Sequence, residues 1–92
     1  MNRPLEEIRM RAGRLSVVND ELREECVAIA RESSAQRSFK DAIVACRKYG
    51  IGGMEAIGVA KATRWLAVIR RDYGDEKFNQ AVRTLAAATP TS

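Results

Sequence analysis

The stretch KYGIGGMEAIGVAK, residues 48–61, carries four glycines and ends on a lysine, a combination that can bind phosphate. A dinucleotide-binding fingerprint needs a third glycine where Glu55 stands, and a P-loop needs its lysine where Val59 stands. Because both templates fail, we predict a joint between two helices. In this interpretation Gly50 ends one helix with a positive φ, and Gly58 lets the next helix pack closely against a neighbour.

Nucleophiles and acids are present, but their surroundings do not favour catalysis. Cys26 and Cys46 have no histidine to act as a base, because the chain contains none. The acidic residues of segment 20–25 surround Arg23 at helical spacing, which favours a solvated helix face over a metal site. We therefore predict no catalytic residue, metal site, cofactor or small-molecule substrate, and two reduced, buried thiols.

The basic residues allow contact with nucleic acid, since the net charge is +4 and the pI is about 9.5. The candidate contacts are Arg9, Arg11, Arg14, Lys61, Arg64, Arg70 and Arg71. A helix-turn-helix over 39–49 and 54–73 would read bases with the start of its second helix. That start, residues 54–59, offers no donor-rich side chain, so phosphate contacts are the more reasonable expectation.

Apolar residues recur at heptad spacing from Leu5 to Ile29, interrupted only by Asn19. The pattern predicts one amphipathic helix over 4–32, about 44 Å long. Alternatively, Asn19 caps a second helix that starts near residue 20. The exposed side of this seam would bind a partner or a second copy of the chain, giving a homodimer in which Asn19 fixes the register. The predicted interface residues are Leu5, Ile8, Leu15, Val18, Asn19, Leu22, Ile29 and Trp65.

The remaining chain is predicted to be helical as well, without strand-period segments. Ser38 and Asp41 resemble a capping box at the start of a helix. The predicted elements are a loop over 33–38, a helix over 39–49, a glycine joint over 50–53, a central apolar helix over 54–73, a helix over 75–88 and a tail over 89–92. The expected fold is a single all-α domain, a small bundle of four to five helices.

The composition, 46% hydrophobic and 30% charged, is typical of a globular domain. The start, MNRPLEEIRMR, lacks the apolar segment of a signal peptide, and no run of apolar residues is long enough for a membrane span. We therefore expect a non-enzymatic cytoplasmic regulator that binds another protein, such as a transcription factor, through apolar helix faces, as an adaptor, antiactivator or inhibitor does. The alternative is a transcription regulator that binds DNA through a helix-turn-helix or an arginine clamp.

Overall fold

The computed structural model describes Leu15 and residues 17–88. This part of the chain contains four helices, which are α1 (Asp20–Glu32), α2 (Ala35–Lys48), α3 (Gly53–Tyr73) and α4 (Asp75–Ala88), and it contains no strand. The prediction of an all-α fold is therefore confirmed.

The N-terminal helix is the main correction to the sequence-based picture. The chain bends at Val18 and is extended at Asn19, with φ −65° and ψ 159°, before α1 begins at Asp20. The Asn19 side chain accepts a hydrogen bond from the backbone N–H of Leu22 at 2.8 Å. An unbroken helix over 4–32 is therefore wrong, and the capped alternative is correct. The amide satisfies an N–H that a helix start leaves unpaired, a contribution of about 1 kcal/mol.

The start of α2 lies one turn earlier than predicted. Ser34 is extended and its hydroxyl accepts from the backbone N–H of Arg37 at 3.2 Å, so Ser34 caps the helix. The predicted capping role of Ser38 is therefore wrong. So are the predicted loop over 33–38 and the predicted start of the 39–49 helix at residue 39. With the cap at Ser34, Ser38 lies inside α2, where its side chain is buried.

The joint between α2 and α3 begins with a left-handed glycine that ends α2, as the sequence predicted. Gly50 has φ 75°, as predicted, and its N–H donates to the Arg47 carbonyl at 3.1 Å. The N–H of Ile51 donates to the Cys46 carbonyl at 3.0 Å. This pair of bonds is a Schellman motif, in which a left-handed residue lets the last carbonyls of a helix find donors. Only Gly52 then separates the motif from α3, which starts at Gly53.

The third helix is central, as its apolar composition predicted. Its buried residues are Ala56, Val59, Ala60, Ala62, Thr63, Leu66, Ala67 and Ile69. It contacts each of the other three described helices. Eight of the 18 buried hydrophobic residues in the described core are alanines, so the helices can approach closely. The core therefore depends on many small contacts rather than on a few large side chains.

The last helix, α4, has the bounds that the sequence predicted, 75–88. It follows α3 after the single residue Gly74, which has φ 92°. Phe78 is buried on α4 and lies 5.2 Å from the guanidinium carbon of Arg31 on α1. This contact connects α4 to α1, while α4 packs mainly against α3. The predicted tail over 89–92 lies outside the described residues.

Candidate docking groove

The glycine stretch forms the joint between α2 and α3 and faces open space. A Cβ added to Gly50, Gly52 or Gly53 would meet no atom within 4 Å, so these glycines leave open space rather than a close cradle. Gly58 is half-buried on α3. Its predicted packing against another helix stays a prediction.

The acidic cluster at the start of α1 is engaged in ion pairs. Asp20 contacts Arg23 at 2.6 Å, and Glu25 contacts Lys48 of α2 at 2.7 Å. Among the described residues, no group of three or more His, Cys, Asp or Glu side chains is placed to hold a metal ion. Two carboxylates of α1, those of Asp20 and Glu25, are therefore paired with cations at the surface.

The two cysteines are buried and free, and both belong to the core. Burial raises the pKa of the Cys26 thiol from 9.0 to about 11, although a hydrogen bond with Thr63 opposes the rise. Burial also raises the pKa of the Cys46 thiol. Since the thiolate is the reactive form, Cys26 is a poor nucleophile at neutral pH.

Apart from Asn19, the described residues of the predicted seam face the chain's own core. Leu15 and Leu22 have no exposed surface, and Val18, Ile29 and Trp65 are half-buried and pack against the core. Offering Leu15 or Leu22 to a partner would require opening this core, and their predicted interface role stays a prediction.

Asn19, Leu5 and Ile8 complete the predicted interface. Asn19 is exposed and caps α1 instead of fixing a dimer register. Leu5 and Ile8 lie outside the described residues. The homodimer stays a prediction, and it can no longer rest on the seam from Leu15 to Leu22.

Two of the predicted nucleic-acid contacts are used inside the protein. Arg70 is half-buried and donates from Nε to the Ala30 carbonyl at 3.1 Å and from Nη2 to the Ser33 carbonyl at 3.2 Å. Arg70 therefore closes the C-terminal end of α1, where carbonyls lack helical partners. Arg71 is exposed and pairs with Asp72 at 2.9 Å. Two of the five N–H donors of Arg70 are used in these bonds, and its predicted role as a DNA contact stays a prediction.

The other predicted cations differ in their surroundings. Lys61 is exposed on α3, and exposed Arg64 lies over the Phe39 ring, 5.2 Å from its centre. Arg9, Arg11 and Arg14 lie outside the described residues.

The contact between Arg64 and Phe39 also defines how α2 and α3 are arranged. Phe39 lies ten residues before Tyr49, and Arg64 lies eleven residues after Gly53, so each is about 15 Å from the joint. Two helices that meet at this distance run back alongside each other. A helix-turn-helix crosses at about 90–120°, which would separate these positions by more than 20 Å. The pair is therefore an antiparallel helical hairpin.

A groove between α1 and α4 is the site that the sequence did not reveal. It encloses about 440 Å³. Its lining residues are Arg23, Glu24, Val27, Ala28 and Arg31 from α1, with Val82 and Leu85 from α4. The α1 residues recur at helical spacing and form one face of that helix. The groove therefore has apolar walls with charged groups along its α1 side.

The lining residues of this groove carry a net charge of +1, from Arg23 and Arg31 against Glu24. Arg23 and Arg31 lie eight residues apart, about 12 Å along α1, and Glu24 is the one carboxylate among the lining residues. The Arg23 side chain is only 14% exposed, and its Nη1 is buried without a hydrogen-bond partner while Nη2 pairs with Asp20. A buried, partly unsatisfied guanidinium is costly, and an added acceptor would offset that cost.

Comparisons of the chain with protein-family models, with curated proteins and with solved structures find no match. Within the part of the chain that the structure describes, no helix is both long enough and apolar enough to cross a membrane.

Proposed function

We propose that this chain is a small non-enzymatic regulatory protein that binds another protein, and that the groove between α1 and α4 receives an acidic amphipathic helix of that partner. The observation that carries the proposal is the apolar groove with Arg23 and Arg31 along one wall. Apolar residues on one face of a partner helix would contact Val27 and Val82, while carboxylates on its flank would approach the two guanidinium groups. This is the helix-in-groove mode of recognition.

The groove is shaped for an elongated partner rather than for a small molecule. Small-molecule sites bury most of the ligand in an enclosed pocket. Here the walls are two helices with an open space between them, and the exposed residues Glu24, Ala28 and Arg31 are among those that line it. A helix laid along this space would cover Ala28 and bring its charged flank to Arg31.

Contacts within the chain anchor both walls, and an ordered groove favours binding because less order must be imposed on association. The Asn19 cap fixes the start of α1, and Arg70 fixes its end. The buried Phe78 ring fixes α4 against Arg31. The groove is therefore preformed in the chain as it stands.

The proposed protein would act as an adaptor, antiactivator or inhibitor, as the sequence led us to expect. A transcription factor is one class of partner that it could bind. An inhibitor of this type would act by covering a helix that its partner needs for another contact. The sequence-specific DNA-binding alternative receives less support, because α2 and α3 form an antiparallel hairpin and Arg70 is engaged internally.

Position-specific photo-crosslinking tests the proposal in the source cell. A benzoylphenylalanine is placed at Ala28, which is exposed and lines the groove, and the matched control is placed at Gln80, exposed on α4 away from the groove. We expect an adduct from Ala28 only, attached to an acidic helical segment and lost with Arg31→Glu. Equal adducts from both positions, or an adduct on a basic or extended segment, would contradict the groove.

A further inference from the structure

The helical hairpin of α2 and α3 carries a group of cations that the groove does not use. Its members are Lys40 and Arg47 on α2 and Lys61 and Arg64 on α3, and all four are exposed. None of them forms an ion pair with an acid in the described part of the chain. We call these four residues the hairpin cations.

The hairpin cations lie on one face. Lys40 and Arg47 are seven residues apart, which places them two turns and about 10 Å apart on the same side of α2. Lys61 and Arg64 are one turn apart on α3. The Arg64 guanidinium lies over Phe39, the neighbour of Lys40 in sequence, so the two pairs adjoin across the hairpin.

The acids of the two helices do not neutralise this face. Asp41 contacts Arg37 at 3.8 Å and lies seven residues before Lys48, on the side of α2 where Lys48 contacts Glu25 of α1. Asp72 is paired with Arg71 near the end of α3, and Glu55 stands at its first turn. The hairpin cations therefore form a local excess of positive charge about 10 Å across.

We infer that this face binds the phosphate backbone of duplex DNA, without reading its sequence, as an activity separate from the docking groove. Duplex DNA presents about six phosphate charges in 10 Å of its axis, enough to engage four cations at once. Lysine and arginine contacts to phosphates need no apolar pocket. The inference does not depend on the proposed partner.

A membrane surface and an acidic protein also attract basic residues, but both fit the hairpin cations less well than duplex DNA does. A membrane surface is bound by the apolar side of an amphipathic helix, but the apolar sides of α2 and α3 are buried in the core. An acidic protein would need an apolar anchor at the centre of its interface. Val44 is 56% exposed beside Lys40 and Arg47, and Met54, seven residues before Lys61 on α3, is 82% exposed, but two such side chains fall short of an apolar patch.

Binding of a fluorescent 20-base-pair duplex, measured by anisotropy from 50 to 200 mM salt, tests the inference. If four phosphates are neutralised, affinity should fall about 150-fold over this range, from a slope of about −3.6. Removing two cations with Lys40→Gln/Lys61→Gln should weaken binding at 50 mM and reduce that fall to about 12-fold. The matched control Lys77→Gln/Arg83→Gln removes two exposed cations from α4 and should behave as wild type.

Several outcomes would overturn the inference. One is no duplex binding at 50 mM salt, and another is an unchanged salt slope in Lys40→Gln/Lys61→Gln. A third is loss of binding only in Arg11→Gln/Arg14→Gln, which would assign the contact to the N-terminal arginines. Tighter binding to phosphatidylserine vesicles than to DNA would assign the face to membranes. Circular dichroism of each variant confirms that a change in binding is not a change in folding.

Discussion

Arg70 provides the sharpest test of how the bundle is held together. Its guanidinium spans two carbonyls at the end of α1, those of Ala30 and Ser33, across 40 and 37 residues of sequence. No helical N–H follows to satisfy the Ala30 carbonyl, because the chain leaves the helix at Ser33. Replacing Arg70 with methionine keeps an unbranched apolar side chain but removes both donors.

The expected loss for Arg70→Met is about 2 to 3 kcal/mol. Each hydrogen bond from a charged donor contributes about 1 kcal/mol at a half-buried site, and a cation at a helix C-terminus adds about 0.3–1 kcal/mol. This is a large part of the stability of a small domain, which is typically about 5–15 kcal/mol. Arg70→Lys should recover only part of the loss, since one ammonium cannot reproduce a fork that reaches two carbonyls.

Guanidinium denaturation followed by circular dichroism at 222 nm measures the effect. Arg71→Met is the matched control, because Arg71 is the next residue, has a side chain 65% exposed and pairs only with its neighbour Asp72. Its midpoint should stay close to that of the wild type. The reasoning is refuted if Arg70→Met changes the free energy of unfolding by less than 0.5 kcal/mol, or no more than Arg71→Met does.

Three further substitutions test local features by the same denaturation assay. Asn19→Ala should destabilise the chain by about 1 kcal/mol while Asn19→Asp keeps the cap, and equal stability of the two variants would contradict the cap at α1. Gly50→Ala should lower the free energy of unfolding by about 1–2 kcal/mol because Gly50 has a positive φ. Gly52→Ala should cost clearly less, since Gly52 has φ −139°. A larger loss for Gly52→Ala than for Gly50→Ala would contradict the left-handed conformation of Gly50 in the joint. The raised pKa of Cys26 means that the unfolded thiol ionises near pH 9 while the folded one stays protonated to about 11, so stability is retained below pH 9 and falls by up to about 3 kcal/mol towards pH 11. Cys26→Ala should lose this part of the pH dependence, and an identical pH profile would contradict the burial of the thiol.

The helices that the sequence predicted well are those with a strong local stop signal. The bounds 54–73 and 75–88 match α3 and α4 to within one residue, because Gly74 separates two long periodic segments. Gly50 likewise ended α2 where a left-handed residue was needed. In these places local backbone chemistry and the apolar pattern favour the same boundary.

The first helix was predicted wrongly because its apolar pattern continues across a break. Leu15 and Leu22 are both core residues, so a seam drawn through them by heptad spacing looks continuous although the chain bends at Val18. Asn19 occupied a seam position and also suited a helix cap, and the cap prevailed because it satisfies a backbone N–H without burying an amide. Periodicity alone cannot distinguish these two arrangements.

The groove could not be predicted from the sequence because it forms only when two distant helices come together in the tertiary structure. Its walls come from residues near 23–31 and 82–85, which are more than fifty positions apart, and nothing local shows that α1 and α4 adjoin. The one available signal was the spacing of Arg23, Val27 and Arg31 on a single face of α1. That face was attributed to solvent because acidic residues surround it.

A charge-swap experiment on the crosslinked partner tests the docking groove most directly. Calorimetry would compare wild type with Arg31→Glu, and then with a partner whose facing carboxylate is changed to lysine. We predict that Arg31→Glu weakens binding at least tenfold, a loss of about 1.4 kcal/mol, and that the reversed pair restores much of the affinity. Unchanged affinity for Arg31→Glu, or no recovery with the reversed pair, would contradict the account.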